Sequence, residues 1–245
     1  MRPMQRRHIT LILLLPLLTS LPVQAAFPGG NVAYGERIFM QGINQVPACH
    51  NCHRKDAMGD DAIGTPRLAG QNPAYIYKQL RDFAANRRID NTMYVMNSNA
   101  RGMSESDWRD VAAYVASLEY MKVGLSDMQR AEEYGYAIGS RSAGRQLVLH
   151  GDPARDIPPC YTCHGYNGRG LPDTYPMTGG QRYVYLVNQL KKWRSKERHN
   201  DPDDKMVNVA RNLTDADINN VATFLSSAPR GECKKSCKNF LCCVW

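Results

Sequence analysis

Three features that define other classes of protein are missing from this 245-residue sequence. The most apolar stretch, residues 9–18, is about half as long as the roughly 20 residues that a membrane-spanning helix needs. The alternation of apolar and polar residues that is typical of half-buried strands is nearly absent, which argues against a β-sheet fold. A basic patch with interleaved aromatic residues is also missing, and its absence excludes nucleic-acid binding.

The formal net charge of +8 does not restore a nucleic-acid function, because most of it lies at the two ends of the chain. Residues 1–25 carry three positive charges and residues 230–245 carry a net three more, which leaves a net +2 for residues 26–229. Such a small net charge on the body of the protein does not attract a polyanion at long range. We therefore expect no nucleic-acid partner.

The N-terminus has the three-part layout of a secretory signal peptide. Arg2, Arg6 and Arg7 precede the apolar stretch, and small residues follow it up to Ala25 and Ala26. This layout predicts removal of residues 1–25 and export of the mature protein to the periplasm. Peripheral association with the membrane stays open at this point.

One five-residue pattern occurs twice in the rest of the chain. Residues 49–53 read Cys-His-Asn-Cys-His, and residues 160–164 read Cys-Tyr-Thr-Cys-His. In a Cys-x-x-Cys-His motif, two thiols one helical turn apart form thioethers to the vinyl groups of a haem, and the histidine binds the iron. The pattern predicts two covalently bound haem c groups, attached through Cys49, Cys52, Cys160 and Cys163 and bound through His53 and His164.

Two other uses of paired cysteines fit this sequence less well. A zinc site made of two Cys-x-x-Cys pairs needs about 15 to 20 residues between the pairs, whereas more than a hundred residues separate these two. A thioredoxin-like redox pair lies near a βαβ pattern, and neither motif here follows a strand-like segment. Haem attachment is therefore the stronger interpretation.

The second half of the chain repeats the first at an offset of about 110 residues. Gly35 aligns with Gly144, and Pro66 aligns with Pro176. Apolar residues at helical spacing recur at the same offset, with Ile76, Leu80 and Phe83 matching Leu186, Leu190 and Trp193. The repeat predicts an all-α fold of two tandem domains, each formed by a few helices wrapped around a haem.

Helix signals and changes in composition set the predicted boundaries. A Ser or Thr followed three residues later by Asp, at Ser104 and Thr214, resembles the capping box that opens a helix; shorter helices are expected at 34–40 and 142–149. The predicted segments are a signal peptide at 1–25, domains at 26–118 and 142–229, a linker at 119–141 and a tail of unknown role at 230–245. Cys233, Cys237, Cys242 and Cys243 lie in this tail, and exported thiols tend to form disulfides.

The second axial ligand of each iron decides whether it passes electrons or binds a substrate. The repeat singles out two methionines, because Met96 aligns with Met206 while Met93, Met103 and Met177 align with other residue types. Both lie eight residues before the expected last helix, in what we predict to be a loop over the haem. We predict Met96 and Met206 as iron ligands, which leaves no open position and suits one-electron transfer.

Taken in order, these features resemble the cytochrome c4 family of dihaem class I cytochromes c. The resemblance covers nearly all of residues 30–228 and depends on the haem motif, then 66–71 (Pro-Arg-Leu-Ala-Gly-Gln), Tyr75, Gln79, Phe83, Arg88, Met96 and the capped helix at 104–118. It implies two small helical domains whose haems face each other with their propionates directed inward. Asn86 departs from the family, which often has glycine there.

The resemblance also implies roles for residues around each haem. The carbonyl groups of Pro66 and Pro176 are expected to orient His53 and His164, as hydrogen-bond partners of metal ligands commonly do. Arg88 and Arg198 occupy matching positions, where they are expected to pair with propionates, to bridge the domains or to remain solvated.

The function implied is that of a periplasmic one-electron carrier and not an enzyme. Its donor would be a quinol-oxidising complex or a dehydrogenase, and its acceptor a terminal oxidase. One alternative is a cytochrome subunit of a dehydrogenase complex, such as a flavin-dependent sulfide dehydrogenase. A dihaem peroxidase or thiosulfate dehydrogenase is a weaker alternative, because such enzymes need a labile or unusual iron ligand, and no cysteine precedes Met96 or Met206 in the expected distal loops.

Overall fold

The computed structural model describes residues 29–90, 94–119, 125–171 and 175–228. Regular structure in these segments is helical, with β pairing limited to isolated bridges, so the predicted all-α class is confirmed. Among these residues, no helix combines the length and the apolar character needed to cross a membrane. The predicted signal peptide and the predicted tail lie outside the described residues.

Five helices of the first half recur in the second half in the same order. One further helix, α6, precedes the second set. The helices are α1 Val32–Gln41, α2 His50–His53, α3 Pro73–Ala84, α4 Val95–Arg101, α5 Glu105–Ser117, α6 Leu125–Glu133, α7 Arg141–His150, α8 Tyr161–His164, α9 Tyr183–Arg194, α10 Lys205–Ala210 and α11 Asp215–Ser226. Short 3₁₀ turns connect some of the helices of the second half.

The first and last helices of each half cross at a glycine. Helix α1 packs on α5, and α7 packs on α11. A Cβ atom on Gly35 would overlap the carbonyl oxygen of Asp110, and one on Gly144 would overlap that of Asn220. The aligned glycines therefore let the helix backbones approach more closely than any side chain would allow.

Part of the stretch predicted as a linker belongs to the packing of the second half. In α6, Met128 and Ala131 are buried in the same core as α9 and α11, and Tyr136 packs against that core. Tyr134 is exposed. The crossover is thus held against the second half through an amphipathic helix for which the first half has no counterpart.

The two capping boxes predicted from sequence are present. The Ser104 hydroxyl accepts the Asp107 backbone N–H at 3.2 Å, and the Asp107 carboxylate accepts the Ser104 N–H at 2.8 Å. Thr214 and Asp217 make the same pair of bonds at the start of α11. Each box satisfies backbone donors that the first helical turn would otherwise leave unpaired.

The second box has an additional partner, Arg155, whose guanidinium donates two hydrogen bonds to Asp217 at 2.6 and 3.2 Å. Hydrogen bonding from Arg155 is the main reason why the pKa of Asp217 is lowered to about 2. Burial acts to raise this pKa, and the bonds from Thr214 lower it further. A carboxyl whose pKa falls on folding stabilises the native state above its unfolded pKa, and that stabilisation is lost as pH drops toward the folded pKa.

We therefore expect Arg155→Gln to lower the melting temperature of the second half by a few degrees at neutral pH. The difference from wild type should shrink as pH falls from about 4 toward 2, because the unfolded protein takes up a proton on Asp217 in this range and the stabilisation by Arg155 is progressively lost. Thermal unfolding followed by circular dichroism measures this. Arg211→Gln, which removes a more exposed ion pair with Asp156, is the control; a deficit in Arg155→Gln that does not change with pH would contradict the linkage.

Candidate haem-binding sites

Each Cys-x-x-Cys-His motif forms a single helical turn. Helices α2 and α8 follow Cys49 and Cys160, which already have helical backbone angles. Residues three apart on a helix lie on the same face, so the two thiols of each motif point to one side. All four thiols are free, with Cys52 exposed and the other three partly exposed, as covalent attachment of a haem requires.

Both histidines are held through one ring nitrogen. Nδ1 of His53 lies 3.2 Å from the Pro66 carbonyl oxygen, and Nδ1 of His164 lies 2.9 Å from that of Pro176. A carbonyl oxygen only accepts, so Nδ1 carries the proton and Nε2 keeps a lone pair for a metal. Desolvation lowers the pKa of both imidazoles, which favours the neutral form that binds iron.

Met96 and Met206 occupy equivalent places, but in helices and not in the loop that we predicted. Each is the second residue of a short helix, α4 or α10, and each helix starts after a residue with positive φ, Tyr94 or Asp204. The backbone N–H of Met96 donates to Asp90, and that of Met206 donates to Asp201. These bonds and the left-handed residue set the direction of each helix where it begins.

In each half the methionine and the first cysteine of the motif pack against the same core. Cys49 and Met96 border the core of the first half, and Cys160 and Met206 border that of the second. In the first half Asn97, which follows the methionine, donates to the carbonyl oxygens of Phe83 and Arg88. The structure thus brings the first attachment cysteine and the predicted methionine ligand to one core in each half.

Arg88 is buried and connects the two halves. Its guanidinium donates to Gln79 of its own half at 2.8 Å, and to Tyr185 and Gln189 of the other half at 3.0 Å each. The same group lies 4.5 Å from the centre of the Phe83 ring, within the range of a cation–π interaction.

Arg198 makes the equivalent contacts in the opposite direction. It donates to Gln189 at 2.7 Å, and to Tyr75 and Gln79 of the first half at 3.1 Å each. Of the roles expected for Arg88 and Arg198, bridging the halves is therefore confirmed. The sequence did not indicate that the aligned tyrosines and glutamines are their partners. We call this set the interdomain arginine network; its members are Arg88, Arg198, Gln79, Gln189, Tyr75 and Tyr185.

The interdomain arginine network holds two positive charges with neutral partners. Every acceptor in it is an amide or phenol oxygen, and burying a charge without a counter-ion is costly. Burial alone would raise the pKa of Tyr185, but the positive charges of Arg88 and Arg198 outweigh it and lower the pKa to about 8. An anionic group is favoured at this interface, so the residues present fit a haem whose propionates are directed inward.

Comparison with known proteins shows the family of the chain. The family model described as Cytochrome c matches residues 32–119 and 158–229. The thiosulfate dehydrogenase electron acceptor of Stutzerimonas stutzeri (strain A1501) is 34% identical over 88% of this chain and 93% of its own length. The cytochrome c4 of Pseudomonas aeruginosa is 31% identical over 87% of this chain and 96% of its own length.

Two solved structures share the fold. The reduced recombinant cytochrome c4 from Pseudomonas stutzeri matches with a TM-score of 0.65 and 27% identity, over 82% of this chain and all of that chain. The thiosulfate dehydrogenase (TsdBA) from Marichromatium purpuratum matches with a TM-score of 0.72 and 32% identity over 83% of this chain, which spans only 41% of that longer chain. With two matched domains and two complete haem motifs, the chain belongs to the cytochrome c4 family and is a dihaem electron carrier with two covalently bound haem c groups.

Proposed function

We propose that this protein is a periplasmic one-electron carrier that takes electrons from a dehydrogenase and delivers them to a terminal oxidase. Thiosulfate dehydrogenase is the first candidate donor, because relatives from Stutzerimonas stutzeri and Thiomonas intermedia, 34% and 33% identical, are described as its electron acceptors. A quinol-oxidising complex is the second candidate donor. Export depends on the signal peptide predicted at residues 1–25.

The observation that carries the proposal is that the two haem sites are built alike. We propose His53 and Met96 as the axial ligands in the first half, His164 and Met206 in the second, and Cys49, Cys52, Cys160 and Cys163 as the thioether positions. Each histidine is oriented by a proline carbonyl, and each methionine is the second residue of an equivalent helix. A catalytic dihaem protein would need one site to differ.

The proposed histidine and methionine ligands explain why the protein would transfer electrons and would not bind a substrate at the iron. A bound haem supplies an iron that cycles between its ferric and ferrous states, and ligation by histidine and thioether favours the ferrous state over ligation by two histidines. His53 and His164 keep one orientation through their Nδ1 bonds, which limits rearrangement during transfer. If a histidine and a methionine both bind each iron, no position would be left for a substrate.

A second role, as a cytochrome subunit held by a dehydrogenase, is favoured by one comparison. The thiosulfate dehydrogenase from Marichromatium purpuratum contains a region similar to this chain within a much longer polypeptide. In that protein a region similar to this chain is part of the same polypeptide as the rest of a thiosulfate dehydrogenase. Co-purification of a dehydrogenase with this protein from its natural source would support the subunit role over the free carrier.

Reduction of the oxidised protein tests the proposed donor. We expect thiosulfate with a catalytic amount of thiosulfate dehydrogenase to reduce both haems, as followed by the visible absorbance of ferrous haem. Thiosulfate alone should not reduce them. If the protein alone oxidised thiosulfate at an ordinary enzymatic rate, about 10 per second, it would be an enzyme; if only a quinol-oxidising complex reduced it, the proposed donor would be wrong.

A further inference from the structure

One glutamine from each half is hydrogen-bonded to the backbone of the other half, next to the proline whose carbonyl accepts from the predicted haem-binding histidine. Gln181, in the second half, accepts the backbone N–H of Arg67 at 2.7 Å and donates to the Arg67 carbonyl oxygen at 3.0 Å. Its side chain is buried, with only 4% of the residue exposed. It thus pairs with both polar groups of Arg67 as a neighbouring strand would.

In the first half, Gln71 makes the equivalent contact with the second half. Gln71 accepts the N–H of Met177 at 2.8 Å and donates to the Met177 carbonyl oxygen at 2.8 Å. The two glutamines align in the repeat, and each directly precedes the N-cap residue of a helix, α3 or α9. Each side-chain oxygen also accepts the N–H of its own N-cap residue, which fixes the amide orientation.

The residues held in this way share a peptide group with the prolines that orient the histidines. The carbonyl of Pro66 accepts from His53, and the N–H of the same peptide group, on Arg67, donates to Gln181. In such a chain, donating the N–H makes the carbonyl a stronger acceptor, because successive hydrogen bonds polarise one another. The peptide group between Pro176 and Met177 lies in the same way between His164 and Gln71.

We propose that each glutamine is a positioning residue that sets the reduction potential of the haem in the opposite half. A stronger Nδ1 hydrogen bond makes the histidine a more basic ligand, which stabilises ferric iron and lowers the potential. Gln181 therefore acts on the haem bound through His53, and Gln71 acts on the haem bound through His164. The inference depends on the proposed ligation by these histidines.

Two variants of similar size test the proposal in the full-length holoprotein. Gln181→Met should raise the reduction equilibrium constant of the first-half haem about fivefold, or about 40 mV, and leave the second-half haem unchanged. Gln71→Met should do the opposite. Redox titration followed by NMR of the haem methyl groups gives both potentials, with each haem assigned through contacts to its own thioether cysteines. In the reduced protein, the Nδ1 proton of the affected histidine should also shift toward the position of a weaker hydrogen bond.

Two further variants serve as control and rescue. Asn72→Ser removes a cross-domain bond to the Leu171 carbonyl but keeps a side chain able to cap α3, so both potentials should stay unchanged. Gln181→Glu keeps the acceptor for the Arg67 N–H and makes it a negatively charged one, so it should lower the first-half potential below that of the wild type; it also serves if Gln181→Met does not fold. A shift in the glutamine's own half, equal shifts in both haems, or no shift would overturn the proposal. These equilibrium potentials do not involve a donor, so a wrong donor assignment would leave the result intact.

Discussion

Replacing Met206 by alanine is expected to remove about half of the far-red sulfur-to-iron charge-transfer band of the oxidised protein, and Met96→Ala should remove the other half. The band arises from a thioether bound to ferric iron, and each half supplies one such thioether. The iron left without its methionine should also bind added cyanide or imidazole readily, because an axial position is then open. Absorbance spectra of the oxidised variants measure both effects.

A methionine that only fills the core provides the control. Met103 is buried in the first half but aligns with Leu213 in the second, so Met103→Leu should leave the band intact. A band that survives both Met96→Ala and Met206→Ala would show that other ligands hold the irons, and would reopen the enzyme alternatives. Loss of the whole band in either single variant would show that the two sites are not independent.

Gly144→Ala is expected to lower the free energy of unfolding of the second half by about 3 kcal/mol, at the upper end of the usual cost of overpacking. The added methyl group would overlap the backbone carbonyl of Asn220, and a backbone atom cannot move aside as a flexible side chain can. Helices α7 and α11 would have to separate, which would loosen the core that borders Cys160 and Met206.

Guanidinium unfolding of the oxidised holoprotein, followed by circular dichroism, measures this loss. Arg145→Ala is the matched control, because this exposed residue is the next one along the same helix and its replacement should change stability by about 0.5 kcal/mol or less. Gly35→Ala should give a comparable loss in the first half, where Asp110 presents the carbonyl. A Gly144→Ala protein as stable as the control would contradict the close helix crossing.

The features that sequence could predict are those carried by short-range patterns or by the repeat. The haem motifs and the capping boxes at Ser104 and Thr214 belong to this group, whereas the alignment of Gly35 with Gly144 gave no sign that helices cross there. Asn86 stands where the family often has glycine, and its φ of 56° shows that the position needs a left-handed backbone. The aligned Lys196 has a similar φ of 63°. Asparagine tolerates this left-handed region better than most residues.

The features that sequence missed depend on tertiary contact. The helix that contains Met96 was missed in favour of a loop. It begins after Tyr94, which has a left-handed conformation, and tyrosine gives no sign of such a turn. Helix α6 was hidden in the predicted linker because it has no counterpart in the first half. The bonds of Gln71 and Gln181 join residues more than a hundred positions apart, and no local pattern indicates such pairing.

The reciprocal contacts make the interface part of both haem sites. Gln181 and Gln71 connect it to the peptide groups behind the histidines, and Arg88 and Arg198 place positive charge where propionates are expected. Loss of one of these glutamine contacts is therefore expected to change the potential of the haem in the opposite half and to leave the other potential unchanged.

The proton NMR spectrum of the fully reduced protein tests most directly whether two like haems are each held by a histidine and a methionine. The ring current of a haem shifts the methyl group of an axial methionine far from its usual position. We predict two such three-proton signals, one lost in Met96→Ala and the other in Met206→Ala. A single signal, or none, in the fully reduced wild-type protein would contradict ligation by histidine and methionine in both halves.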